Sequence, residues 1–133
     1  MKILILENFY FRAKQFQDRF AAFDIKDITH ITSARKCIEQ ISKKKFGVIF
    51  LDYDLSNAES FGLSTEDNGA TVAQWIKEHP QNINKKTTII IHSSNEYGAA
   101  EMKKLLTNAY VIPRVWHKDV FDQVVELLKL KKE

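Results

Sequence analysis

Phe46-Gly47-Val48-Ile49-Phe50-Leu51-Asp52-Tyr53-Asp54-Leu55 is the stretch that decides the fold. An apolar run without alternation marks a strand covered on both faces, as in a parallel sheet between two helix layers. Here the run ends abruptly in two carboxylates separated by one residue. Charges at the C-terminal end of such a strand lie at the rim where open α/β sheets hold their ligands.

Similar runs occur at Lys2–Leu6, Asp27–Ile31, Thr87–His92 and Ala109–Ile112, each followed by a helical pattern. The first helix follows Asn8, with Phe16, Phe20 and Phe23 at helical spacing. Thr32-Ser33 suits the cap of a second helix reaching Ile41, and a third runs from Ala70 to Glu78, where His79-Pro80 stops it. A fourth covers Ala99 to Leu106, and the last starts at Lys118 with Val120, Phe121, Val124, Val125 and Leu128 turned inward. Alternating βα units imply a parallel sheet with right-handed crossovers. The expectation is a single flavodoxin-like α/β domain over residues 1–133, with strand order 2-1-3-4-5.

Composition narrows the function classes. The chain has 133 residues and a net charge of +3, with the excess cations scattered at element ends. That pattern argues against sequence-specific DNA binding. No stretch is long and apolar enough to cross a membrane, and the start is too quickly charged for a signal peptide. Cys37 is the single cysteine, which excludes a disulfide framework and a cysteine metal cluster. A cytoplasmic protein is expected.

The predicted strand ends gather chemistry at one edge: Glu7-Asn8, Asp52-Tyr53-Asp54, His92-Ser93-Ser94-Asn95 and Pro113-Arg114. Glu7, Asp52 and Asp54 are the expected ligands of Mg²⁺ or Mn²⁺, because converging carboxylates repel unless a hard cation lies between them. Ser93, Ser94, Asn95, Arg114 and Arg12 are the candidates for phosphate oxygens, assisted by the N–H groups that open the fourth helix. Asp52, Asp54 and His92 are the candidate catalytic groups. His30, His79 and His117 are read as structural. Phe9, Tyr10 and Phe11 are expected to lie partly in the core, with the remainder available to a protein partner. Ser56 to Gly69, rich in small polar residues, is read as a lid or a surface loop.

These residues resemble the receiver domain of two-component signalling. Lys2 to Asn8 resembles its first strand and acidic pair, Asp52 its phosphoacceptor and Ser93 its strand-4 hydroxyl. Two features differ: the acidic pair is Glu7-Asn8, and Pro113-Arg114 stands where Lys-Pro is usual. A closer resemblance is to the cyclic-phosphate processing receiver domain. Its Leu-Asp-His-Asp-Leu is similar to Leu51-Asp52-Tyr53-Asp54-Leu55, and its Gly followed by Val-Ala-x-Trp-Ile to Gly69 and Val72-Ala73-Gln74-Trp75-Ile76. Its Ile-His-Ser-x-Asn-x-x-Gly-x-x-x-Met matches Ile91 to Met102. Tyr53 replaces a histidine of the pattern, and Thr71 stands where an acid is usual.

The resemblance implies a substrate class, the cyclic phosphate of a nucleotide or an RNA end; the expectation is a domain that binds it with a divalent metal and opens it as a phosphodiesterase, or binds it without turnover. The alternatives are a stand-alone response regulator of a phosphorelay, phosphorylated at Asp52, and a degenerate receiver that docks a protein partner.

Overall fold

A computed structural model describes residues 1–55 and 68–131. The parallel sheet has the expected order, β2-β1-β3-β4-β5. Its strands are β1 (Ile3–Leu6), β2 (Ile28–Ile31), β3 (Val48–Leu51), β4 (Thr88–Ile91) and β5 (Tyr110–Val111). The helices are α1 (Tyr10–Ala21), α2 (Ala34–Lys43), α3 (Gly69–Glu78), α4 (Glu96–Leu105) and α5 (Lys118–Leu128), with a short 3₁₀ turn at Pro80–Asn82. The expected lid falls mostly on residues 56–67, outside the described residues.

Side-chain parity sorts the core into two layers. Leu4, Leu6, Ile49, Leu51 and Ile91 meet Cys37, Ile41, Val72, Ala73, Ile76 and Met102 from α2, α3 and α4. Ile3, Ile5, Val48, Phe50 and Ile90 meet Phe16, Phe20, Phe121 and Val124 from α1 and α5. β1 and β3 are buried along their whole length, as the unbroken apolar runs require. Each buried large apolar side chain contributes about 1.5–3 kcal/mol relative to exposure. β5 is shorter than expected and both its residues are exposed, because it is an edge strand paired only with β4.

Most helix starts are fixed by side-chain caps that satisfy otherwise orphaned N–H groups. Ser33 Oγ accepts from the Lys36 N–H, Asn68 Oδ1 from Ala70 and Asn95 Oδ1 from Gly98. Asn95 therefore starts α4 before the expected Ala99. His117, read as structural, is the cap of α5: its Nδ1 accepts from the Asp119 N–H at 3.2 Å. α1 has no side-chain cap from its own N-cap residue, Phe9. Instead the Phe9 N–H donates to Glu7 Oε2 at 3.0 Å. That carboxylate also suits the positive end of the helix dipole.

Candidate functional site

Strand register builds the site. Ile5 is aligned with Phe50, and Phe50 with Ile90, all on the α1/α5 face of the sheet. Two residues further along, the same face carries Glu7, Asp52 and His92. The ladder extends to hold them: Asp52 N–H donates to the Leu6 carbonyl, and His92 N–H to that of Leu51. Glu7 and His92 are 0% exposed and Asp52 is 4% exposed. One ligand atom from each lies within 4.8 Å of the other two.

His92 Nε2 is 3.2 Å from Glu7 Oε1. An ionised carboxylate can only accept, so Nε2 carries the hydrogen. The imidazole stands in an aromatic box, with ring centroids 5.2 Å from Phe16, 6.3 Å from Phe50 and 5.9 Å from Trp116. Its Nδ1 is buried with no hydrogen-bond partner among the described residues.

The two carboxyl groups are tuned in opposite directions. Burial is the largest influence on Glu7 and opposes its ionisation. The His92 hydrogen bond and charge, the Phe9 N–H and Arg12 outweigh it, so Glu7 is held below its usual range. Asp52 has a single backbone donor, the Tyr53 N–H at 2.8 Å. Its burial, joined by the negative charge of Glu7, overcomes His92, Tyr53 and Arg12 and pushes it up to about 6.

Arg12 is the cation that reaches both carboxylates electrostatically. Its guanidinium lies 4.7 Å from the Phe9 ring centre and 4.4 Å from that of Trp116, a cation–π arrangement that holds it in place. The turn after β5 passes through Arg114 in a left-handed conformation (φ 55°) and delivers Trp116, rather than a lysine, towards the site.

The remaining candidates lie around this row. Asp54 is exposed, and its two oxygens each lie 3.4 Å from the Asn95 amide nitrogen. It stands outside the Glu7–Asp52–His92 donor group, so the expected carboxylate trio is in its closest form two carboxylates and an imidazole. Ser93 is buried and its hydroxyl accepts from the Asn95 N–H. Ser94 and Arg114 are exposed and, with Ser93, line a cavity of about 420 Å³ between α4 and the turn after β5.

His30, read as structural, donates from Nε2 to the Glu7 carbonyl at 2.7 Å and braces the strand end. The available signal was register: His30 is aligned with Ile5, directly across from the residue two before Glu7.

The glycines of the sequence motifs have steric reasons. A Cβ on Gly69 would lie 2.0 Å from the Asp52 carbonyl oxygen, and one on Gly98 would lie 2.2 Å from Tyr53 Cγ. Backbone and ring thus pack directly against these positions, which fixes the Asp52-Tyr53 segment between α3 and α4.

The profile of the cyclic-phosphate processing receiver domain matches residues 13–108. The chain belongs to that family. No curated protein sequence matches it. Among solved structures, the receiver domain of the Francisella response regulator 1452 superposes with a TM-score of 0.68 at 18% identity, covering 96% of this chain and 94% of that one. A CheY-like response regulator receiver domain from Methylobacillus flagellatus gives 0.69 at 12% identity, covering 96% and 98%. The signal receiver domain of a Luxo repressor protein from Vibrio parahaemolyticus gives 0.68 at 20%, covering 95% and 87%. These likenesses show that this cyclic-phosphate processing receiver domain has the CheY-like receiver fold. No helix among its described residues is long and apolar enough to cross a membrane.

Proposed function

We propose that the chain binds the cyclic phosphodiester of a nucleotide or an RNA end at the C-terminal edge of the sheet and opens it by hydrolysis. The observation that carries this reading is the Glu7–Asp52–His92 row, three ionisable side chains buried side by side. Two buried carboxylates repel each other, and a divalent cation relieves the repulsion. The donor set fits such an ion, Mg²⁺ or Mn²⁺, through the carboxylate oxygens. Glu7 and Asp52 would hold it, and it would supply positive charge to the phosphodiester oxygens.

The protein's own groups do the rest. Arg12, Arg114 and the Ser93–Asn95 segment bind the phosphate oxygens. Asp54, exposed beside Asn95, takes a proton from the attacking water as its oxygen bonds to phosphorus. One ester P–O bond of the ring breaks, and the departing ribose oxygen takes a proton. That proton comes from solvent, to which Asp54 releases the one it took, while His92, buried against Glu7 and hydrogen-bonded to it, keeps that carboxylate ionised. The net reaction consumes one water and yields a phosphate monoester.

Phosphorus NMR tests the reading, with Mg²⁺ or Mn²⁺ and a panel of 2′,3′- and 3′,5′-cyclic nucleotides. Conversion to a monophosphate, lost in Asp52→Asn and Glu7→Gln, is expected. Absence of turnover across the panel overturns the hydrolytic claim. Stable phosphorylation of Asp52 by acetyl phosphate in its place would make the chain a phosphoacceptor.

A further inference from the structure

Of the five exposed aromatic side chains among the described residues, four lie at the starts of two helices, and the fifth, Tyr110, is on the edge strand β5. Phe9, Tyr10 and Phe11 are 51%, 80% and 73% exposed at the start of α1, and Tyr97 is 80% exposed in the first turn of α4. In a parallel sheet both helices begin at the C-terminal strand ends, the edge that carries Glu7, Asp52 and His92. The sequence alone predicts part of the Phe9–Phe11 run to be core, yet none of it is buried. Three consecutive aromatics facing water are poorly placed for a monomer without a ligand.

The run is wired to the buried row. The Phe9 N–H donates to Glu7, and the Phe9 ring supports the guanidinium of Arg12. The Tyr10 ring meets His30 edge-on at 6.0 Å, and His30 is anchored on the Glu7 carbonyl. Tyr10 is therefore positioned although it is exposed. The three rings are followed directly by a cation, in the order Phe9-Tyr10-Phe11-Arg12.

We propose that Phe9, Tyr10 and Phe11 form a stacking platform for the nucleobase of the ligand whose phosphate lies beside Arg12. This inference rests on the phosphate reading above and adds that the ligand carries a base. One face of Phe9 is taken by Arg12, but the Tyr10 and Phe11 rings are largely exposed, and stacking on exposed rings is sequence-tolerant. The size of the patch also fits. One turn further along α1, Lys14 and Asp18 are exposed and paired with each other at 2.7 Å, so the apolar surface ends after a single turn. A stable protein interface needs about 800 Å² per partner. One helical turn of aromatics suits one or two bases.

Isothermal titration of the wild type and of the Tyr10→Ala/Phe11→Ala double variant tests the proposal. Both side chains are largely exposed, so the variant is expected to fold, and circular dichroism checks this. The probes are 2′,3′-cyclic AMP, a short single-stranded RNA ending in a 2′,3′-cyclic phosphate, and the base-free 2′,3′-cyclic phosphate of a methyl riboside. The wild type is expected to prefer the base-bearing probes, and the double variant to close that gap by about tenfold to a hundredfold. A larger loss for the RNA than for the mononucleotide supports a strand end as the ligand; an equal loss supports a free nucleotide.

An unchanged preference, or an equal loss for base-bearing and base-free probes, overturns the platform while leaving phosphate binding intact. Wild-type self-association that the double variant abolishes, seen by analytical ultracentrifugation without a change in base preference, makes the patch a protein interface and overturns it too. No binding of any probe overturns the phosphate reading itself.

Discussion

Replacing Asp52 by Asn removes a charge from the interior while preserving the shape of the side chain and the acceptor for the Tyr53 N–H. The Asp52 carboxyl is pushed from 3.8 up to about 6, first by burial and then, against His92, by the charge of Glu7. Below the unfolded value both states are protonated and the carboxyl costs nothing. As pH rises from about 4 to about 6 the unfolded chain releases its proton first, so the folded state loses stability through that window. Above it the penalty is constant. At 1.36 kcal/mol per pKa unit, the difference between 3.8 and about 6 sets a ceiling of about 3 kcal/mol.

Asp52→Asn is therefore expected to match the wild type near pH 4 and to exceed it by about 3 kcal/mol at pH 7.5. That corresponds to a rise of roughly 10 °C in Tm for a chain of this size. Urea melts of both proteins at intervals from pH 4 to 7.5 provide the measurement, and taking the difference cancels the titrating groups remote from Asp52, leaving its own titration and its coupling to Glu7 and His92. Excess Mn²⁺ should narrow the gap by stabilising only the protein that retains the carboxylate. A pH-independent difference, or a variant less stable than the wild type at pH 7.5, would refute the claim that Asp52 is strained by its burial.

Two further outcomes follow from packing. Gly98→Ala places a Cβ where the Tyr53 ring stands, so it should cost about 1–3 kcal/mol in a urea melt. Tyr53→Ala in the same chain should recover most of that loss, and strict additivity of the two changes would show that the ring is not the obstacle. Cys37 is fully buried, and its thiol is pushed up to about 12 by that burial. It should react with a disulfide reagent only as fast as the chain opens, so rapid labelling of the native protein would contradict the packing of α2.

The sheet was legible because its central strands need no partner to be recognised. Phe46 to Leu51 and Lys2 to Leu6 are apolar at every position that must be covered, and their charged ends mark the rim. The edges were harder. Ala109 to Ile112 carries the same signal, but only Tyr110–Val111 pairs, since an edge strand has a neighbour on one side alone. Of the candidate site, Glu7, Asp52 and His92 were legible as strand ends, and their convergence follows from parity and register.

The exchange of Asp54 for His92 within the closest donor group was not legible. Asp54 is two residues beyond Asp52, where the chain has already left the sheet for the surface. Arg12 was ambiguous for a different reason. A helix cation is indistinguishable from a solvated one until the rings of Phe9 and Trp116, more than a hundred residues apart in the chain, are seen on either side of it.

The pairing of His92 with Glu7 spans 85 residues of sequence. During synthesis β1 leaves the ribosome before β4, with its glutamate lacking the imidazole that will later accompany it. β3 must then insert beside β1, and β4 beside β3, before the three ionisable groups face one another. A chain interrupted between Asp52 and His92 has both carboxylates without their imidazole, and a one-residue slip of β4 would turn that imidazole to the opposite layer. The arrangement thus makes completion of the Glu7–Asp52–His92 row a late event in folding.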